Sequence, residues 1–274
     1  MGECSLRNKQ QSKKIGGGKR GFRAGGWVER YVAAGFALAV LGLWQAIVPL
    51  AGLSEFVLPT PFSIASRMVR ERWLLSQHAY FTLIEVVAGF SVGVLIGIPL
   101  ALAIFYSRVF ERAIYPILVA LQTVPKVALA PLLVLYLGYG WAPKVSLAFL
   151  ISFFPIVIST VVGLNSLDRN LVHLVRSMGA NEWQTFFKVR LPAALPNIFG
   201  GFKVAISLAV IGAIIGEYVA AERGLGYLQL QANSQFDTTL NFATVITISL
   251  LGVLLYYVID ITESRVVHKL ETSK

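Results

Sequence analysis

Charge is scarce in this chain: only 14% of its 274 residues are charged while 56% are hydrophobic, against roughly 25% charged in a soluble globular domain. So few charges cannot dress a water-facing surface, which excludes an ordinary soluble fold and leaves lipid as the main solvent. Cysteine is almost missing. The single one, Cys4, lies in a polar N-terminal stretch, so the chain forms no internal disulfide and no cysteine-based metal site. Histidine is rare as well. His78, His173 and His268 stand far apart without ligand spacing, so no metal is expected. No paired-carboxylate or nucleophile–base constellation has a meaningful spacing, so no catalytic residue is expected either. A net charge of +10 would suit a nucleic-acid binder, but the basic excess sits in the first 30 residues and in loops. Membrane topology accounts for that distribution, and no nucleic-acid partner is expected.

What is abundant is long apolar sequence. A bilayer core about 30 Å thick takes ~20 apolar helical residues per crossing, because lipid offers backbone groups no partner. Six segments fit, at about 31–50, 80–106, 113–137, 143–165, 195–220 and 239–262, parted by polar or Pro/Gly-marked turns. The fold class is therefore all-α, with six transmembrane helices in a domain over 31–270. Residues 1–30 hold eight basic residues among glycine, serine and glutamine and read as a disordered tail. Gly16-Gly17-Gly18-Lys19-Arg20 lacks phosphate-loop spacing. The apolar run that follows is too long for a signal peptide and has no small-residue cleavage site, so it reads as a retained helix. Between the first two segments, Ile64 to Trp73 resembles a short amphipathic interfacial helix. With the N-terminus inside, 17 of the 24 lysines and arginines fall on inner segments and five on outer ones. Both termini are thus expected in the cytoplasm.

The longest inner connection, 166–194, is too patterned for a linker. Leu171, Leu174, Val175 and Met178 repeat at helical spacing, Gly179 offers a turn, and Trp183, Phe186 and Phe187 continue a second apolar face. Two short helices meeting at an angle are expected. Such a hairpin can lie on lipid, pack on its own helices, or enter a groove on a partner, and periodicity does not choose among these.

Gly179, nine residues, Val189, one residue and Leu191-Pro192 reproduce the spacing of the "EAA" loop, EAA-x3-G-x9-I-x-LP. On this motif the chain resembles the permeases of binding-protein-dependent ABC importers. Leu58-Pro59-Thr60-Pro61, Val124-Pro125-Lys126, Leu137-Gly138-Tyr139-Gly140, Phe153-Phe154-Pro155 and Gly224-Leu225-Gly226-Tyr227 extend the likeness in order, and together they look like the nitrate/sulfonate/taurine branch. One departure is plain: the EAA triplet is His173-Leu174-Val175. The resemblance implies a permease without catalysis or cofactor of its own, multi-pass in the bacterial inner membrane. It implies a second copy as homodimer partner, two ATP-binding cassette ATPase subunits that hold the ATP and Mg, and a periplasmic or tethered solute-binding protein. It also implies that 171–190 is the coupling helix, with His173, Arg176, Ser177, Gly179, Ala180, Glu182, Trp183 and Phe186 meeting the ATPase. The solute implied is small and often anionic. Gly224 to Asn233 adds a likeness to permeases for pyrimidine-type vitamin precursors.

Some polar residues fall within spans, where charge is costly unless it faces protein or water. Lys126 and Lys203 either line an electropositive path or tie a helix end or kink. Glu85 and Glu217 either meet the delivering protein and gate the entrance or are solvated at the interface. Gln122, Lys126, Lys203, Ser207 and Glu217 are the candidate pathway residues. Gly89, Gly93 and Gly97, and Gly212 with Gly216, form small-residue faces that let helices approach closely, within the chain or between subunits. A gradient-driven secondary transporter would show inverted repeats and midplane ion sites, and a membrane enzyme would show a catalytic cluster. Neither is present in the sequence.

Overall fold

A computed structural model describes residues 26–271, and every regular element there is helical. Most of the expected basic tail, 1–25, lies outside the described residues; helix α1 (Gly26–Leu50) already begins within the last of it. The chain divides near Leu53 into two units, each described here by itself. The first contains α1, whose described apolar stretch is Gly35–Leu50.

The second unit holds α2 (Pro61–Arg70), α3 (Arg72–Tyr106), α4 (Arg108–Leu121), α5 (Ala130–Leu137), α6 (Trp141–Asn165), α7 (Arg169–Ser177), α8 (Glu182–Thr185), α9 (Leu191–Ala220), α10 (Leu225–Ser234) and α11 (Thr238–Glu271). Among the described residues four helical runs are long and apolar enough to cross a membrane: α3, α6, Glu182–Ala220 and Thr238–Val267.

The expected single crossing over 113–137 is instead broken. Helix α4 and the stretch Lys126–Leu137 meet at 85°. Pro125 brings no N–H to a helical ladder and biases Val124 away from helical geometry, so α4 ends at Leu121 and a short 3-10 turn, Lys126–Leu129, leads into α5. The carbonyls exposed at the break find other donors. Lys126 Nζ donates to the Gln122 carbonyl at 2.9 Å and Thr123 Oγ1 to that of Ala120 at 2.8 Å.

Helix α6 is the centre of the unit, held between α3 and α9. Gly89, Gly93 and Gly97 of α3 lie against Ala148, Ser152 and Ile156, and Gly212 and Gly216 of α9 lie against Ala148 and Lys144. Both small-residue faces are thus used inside the chain, letting backbones meet at distances any side chain would prevent. The apolar core fills in around them, with Val86, Ala209, Ala213 and Leu251 at one level and Ile104, Leu118, Phe154 and Val157 at another. The expected interfacial helix forms as α2, with Thr60 capping its N-terminus. It is docked on protein: Arg67 pairs with Asp237 at 2.7 Å at the start of α11, and Met68 packs against the cluster of Leu75, Leu228 and Leu240.

A Cβ built on Gly89 would sit 2.9 Å from the Val145 carbonyl oxygen, whereas one on Gly200 meets nothing within 4 Å. Gly89→Val is therefore expected to destabilise the protein by about 1–3 kcal/mol or more through overpacking, and Gly200→Ala to be neutral or stabilising by up to about 1 kcal/mol. Unfolding midpoints in detergent for the two variants check this, and equal midpoints would remove the close-approach argument.

Candidate coupling hairpin and a buried polar cluster

The hairpin expected over 166–194 is built from local signals. Asp168 caps α7 by accepting from the Asn170 N–H at 2.9 Å. The helix closes with paired turn bonds, Gly179 N–H to the Arg176 carbonyl at 3.0 Å and Ala180 N–H to that of Val175 at 3.3 Å. That closure places one residue in the left-handed region, and Gly179 takes it with φ +88°. Asn181 and Gln184 then form a reciprocal capping box that starts α8. Arg176 and Glu182 form an ion pair across the turn.

The second arm differs from the expectation of a separate short helix. Residues Glu182–Ala220 form one continuous helical run, with a single wide turn at Phe186–Arg190. Trp183 and Phe187, four apart and stacked at 5.2 Å, share one face of it. Phe186 turns the other way and packs with Leu164, Ala194 and Ile198, so it anchors the hairpin instead of presenting itself. Val172 is buried and Thr185 fully so. The outer surface is apolar: Leu171, Leu174 and Met178 from α7 and Trp183 from α8 are exposed, Met178 by 79% and Trp183 by 72%. His173 is exposed, and Ser177 spends its hydroxyl on the Leu174 carbonyl at 2.7 Å.

The five candidate pathway residues do not form one site. Lys126 sits at the break described above, with its ammonium 4.7 Å from the Phe154 ring centroid. Lys203 pairs with Asp260 and Glu263 of α11, tying α9 to α11, while Ser207 bonds back to the Lys203 carbonyl at 3.0 Å. Gln122 and Ser207 are exposed.

Glu217 belongs to a different arrangement, at the end of α9 remote from the hairpin. Of the two readings left open for Glu85 and Glu217, solvation at the interface does not hold, since they are 0% and 1% exposed. Glu85 pairs with Lys144 of α6. Glu217 accepts from the Thr82 hydroxyl at 2.6 Å and from the Gly226 N–H, and Thr82 Oγ1 in turn accepts from the Leu225 N–H at 2.8 Å. His78 Nδ1 lies 3.1 Å from the Gly224 nitrogen and 2.9 Å from its carbonyl oxygen. The Gly224-Leu225-Gly226 backbone is thereby clamped to α3 and α9. Gly224 adopts φ +121°, and a Cβ there would strike the Glu217 carboxylate. Sequence reasoning noted Glu217 and the glycine motif separately and passed over Thr82 and Lys144; a carboxylate seven residues before a G-x-G turn was the available signal.

Two clefts open beside this clamp. One, of about 750 Å³, is lined by Trp73, His78, Tyr80, Phe81, Arg223 and Tyr227. Its neighbour, of about 520 Å³, shares Phe81 and Arg223 and reaches Trp141 and Lys144.

The fold is one already seen in transport. A solved inward-facing structure of the MetNI methionine ABC transporter matches with a TM-score of 0.60, covering 73% of this chain and 98% of that chain at 23% identity. The helical architecture is that of the matched chain. Residues 93–270 match the family described as the binding-protein-dependent transport system inner membrane component, and the chain belongs to that family. Among its relatives, the formylaminopyrimidine transport permease protein ThiX of Halalkalibacterium halodurans is 38% identical, over 80% of this chain and 88% of its own length. The riboflavin transport system permease protein RibX of Chloroflexus aurantiacus is 39% identical, over 84% and 87%. The chain is thus an ABC importer permease, and the family's task is transport, not catalysis.

Removing one partner of a buried ion pair strands the other, typically at about 3–5 kcal/mol, while removing both is far milder. Lys144→Met is therefore expected to unfold the protein at markedly lower temperature, and Glu85→Gln with Lys144→Met to recover much of the loss. Thermal unfolding of Lys144→Met, Glu85→Gln and the double variant in one detergent checks this; purely additive losses would show that the pair is not coupled.

Proposed function

We propose that this permease works as a homodimer of six-helix subunits in the bacterial inner membrane, with both termini in the cytoplasm, α1 and the bent α4–α5 pair completing the crossings. The hairpin 171–190 docks in a groove of each of two ATPase subunits, which bind the ATP and Mg, and a solute-binding protein delivers cargo from the other side. The observation that carries this reading is the hairpin itself. It is locked by caps on both arms, by the Gly179 turn and by the Arg176–Glu182 pair. Yet it leaves Leu174, Met178 and Trp183 in the open. A rigid turn with exposed apolar anchors suits insertion into a partner's groove.

The solute is small and organic. The relatives named for formylaminopyrimidine and riboflavin handle planar nitrogen heterocycles, and the aromatic cleft of Trp73, Tyr80, Phe81 and Tyr227 offers ring faces for stacking. A sulfonate-like anion is the second reading, favoured by Arg223 in the same cleft. Gln122 and Ser207, exposed on their helices, remain pathway residues in this proposal, whereas Lys126, Lys203 and Glu217 support the path by holding its walls.

Uptake into liposomes tests the assignment. Reconstituted with its ATPase and binding protein, the permease is expected to accumulate labelled aminopyrimidine only when ATP is supplied; uptake by this chain alone on an ion gradient would overturn the reading. Gly179→Leu is expected to abolish ATP-driven uptake with insertion intact, because the left-handed backbone costs a side chain about 1–2 kcal/mol and the turn must reshape. Undiminished uptake in Gly179→Leu would remove the hairpin from the mechanism.

A further inference from the structure

A third cleft, of about 660 Å³, lies under the hairpin and shares His173 and Arg176 with the residues assigned to the ATPase, but no reading above gives the cleft itself a ligand. Its walls bring together Arg108 at the start of α4, Arg176 and His173 on α7, and Arg190 in the wide turn, over a floor that includes Leu164 and Val172. No carboxylate lines it. Among the described residues Arg108 and Arg190 have no ion-pair partner, and Arg176 meets Glu182 outside the lining. Arg190 rests on a ring face instead, 5.0 Å from the Phe105 centroid. Arg176 thus already has a counter-charge, but Arg108 and Arg190 border the cleft with none, and an anion entering beside them supplies it. The position where the EAA motif places its glutamate is His173, so the internal carboxylate that this cleft lacks is also the one that the sequence has exchanged.

We propose that this cleft holds the phosphodiester headgroup of an anionic phospholipid. Guanidinium forks match phosphate oxygens in geometry and charge, and basic pockets between spans on the cytoplasmic side are the setting in which anionic headgroups are held. The depth is right. The cleft lies where α3 ends at Tyr106 and α6 ends at Asn165, and Tyr106, packed against Phe105 and Phe186, is exposed there, a residue type enriched at the membrane interface. A soluble phosphate would use the arginines alone, whereas a lipid also covers Leu167, the apolar lining residue that is only half-buried. The inference rests on the hairpin's place at the membrane boundary, part of the reading above, and not on docking to the ATPase.

The test uses the full chain purified in mild detergent and exchanged into mixed phosphatidylglycerol–phosphatidylcholine micelles, with bound lipid counted by native mass spectrometry. The wild type is expected to retain phosphatidylglycerol about tenfold or more over phosphatidylcholine, since both carry the phosphodiester and only choline brings a like charge among the arginines. Arg108→Gln with Arg190→Gln is expected to erase the preference. His173→Glu keeps every arginine, supplies the missing carboxylate at an exposed position, and is expected to erase it as well, so the proposal stands or falls even where the double variant does not fold. Arg70→Gln, on the opposite side and paired only with Glu71 at 3.9 Å, is expected to leave it unchanged. Retention unaltered in both cleft variants overturns the proposal. So does displacement of the lipid by excess inorganic phosphate, which would mark a soluble anion as the occupant, or by the ATPase subunit, which would mark the cleft as part of that interface. Failure of ATP-driven uptake in Gly179→Leu would leave the lipid readout untouched, so the two readings fail separately.

Discussion

The close approach of three backbones at α6 is the constraint on which the rest of this structure depends. Between helices in lipid there is no hydrophobic drive, and association relies on van der Waals contact over surfaces that fit. Glycines supply the fit on both sides of α6, Gly89, Gly93 and Gly97 from α3 and Gly201, Gly212 and Gly216 from α9. That pairing decides what stands beside what. It brings Lys144 at one end of α6 next to Glu85 and within the reach of the Glu217 cluster, and it sets Leu164 and Asn165 at the other end beneath the hairpin.

Polar groups follow from that frame. A charge in a span must be matched or reach water, and the chain matches its charges in pairs that also tie helices together: Glu85 with Lys144 for α3 and α6, Lys203 with Asp260 and Glu263 for α9 and α11, Arg67 with Asp237 for α2 and α11. Backbone groups freed by breaks are treated in the same way. Lys126 serves the carbonyl of Gln122, and Glu217 with Thr82 serves the N–H groups of Gly226 and Leu225. Under the hairpin the matching is partial: Arg176 meets Glu182 across the turn, while Arg108 and Arg190 border a cleft with no acid in its lining.

Much of this was legible in the sequence, because membrane helices announce themselves by length and composition. The spans over 80–106, 143–165 and 239–262 lie inside helices that extend beyond them, and the hairpin's turn at Gly179 follows from a motif whose spacing is intact. The broken crossing at Pro125 was hidden because the sequence is apolar on both sides of the bend, from Ala113 to Leu121 before it and from Val127 to Leu137 after it, and hydropathy has no term for direction. The second arm was misread as a separate helix because Lys188 and Arg190 interrupt the apolar pattern, while the backbone runs on through them by a single wide turn. The burial of Glu85 and Glu217 was illegible for a different reason. Their partners, Lys144 and the Gly224-Leu225-Gly226 turn, are distant in the chain or reached through tertiary packing, and one-dimensional pattern carries no such pairing.

The run Glu182–Ala220 has a consequence beyond its packing. At 39 residues and about 1.5 Å of rise each, it is a strut roughly 58 Å long, joining the exposed Trp183 at one extremity to the Glu217 clamp near the other. A rigid strut has no slack, so a tilt imposed at Trp183 must reappear as displacement at Gly224 and the aromatic cleft beside it, unless the wide turn at Phe186–Arg190 absorbs it. That turn is the compliant link in the strut, and its stiffness sets how much of a movement on one face of the membrane is felt on the other.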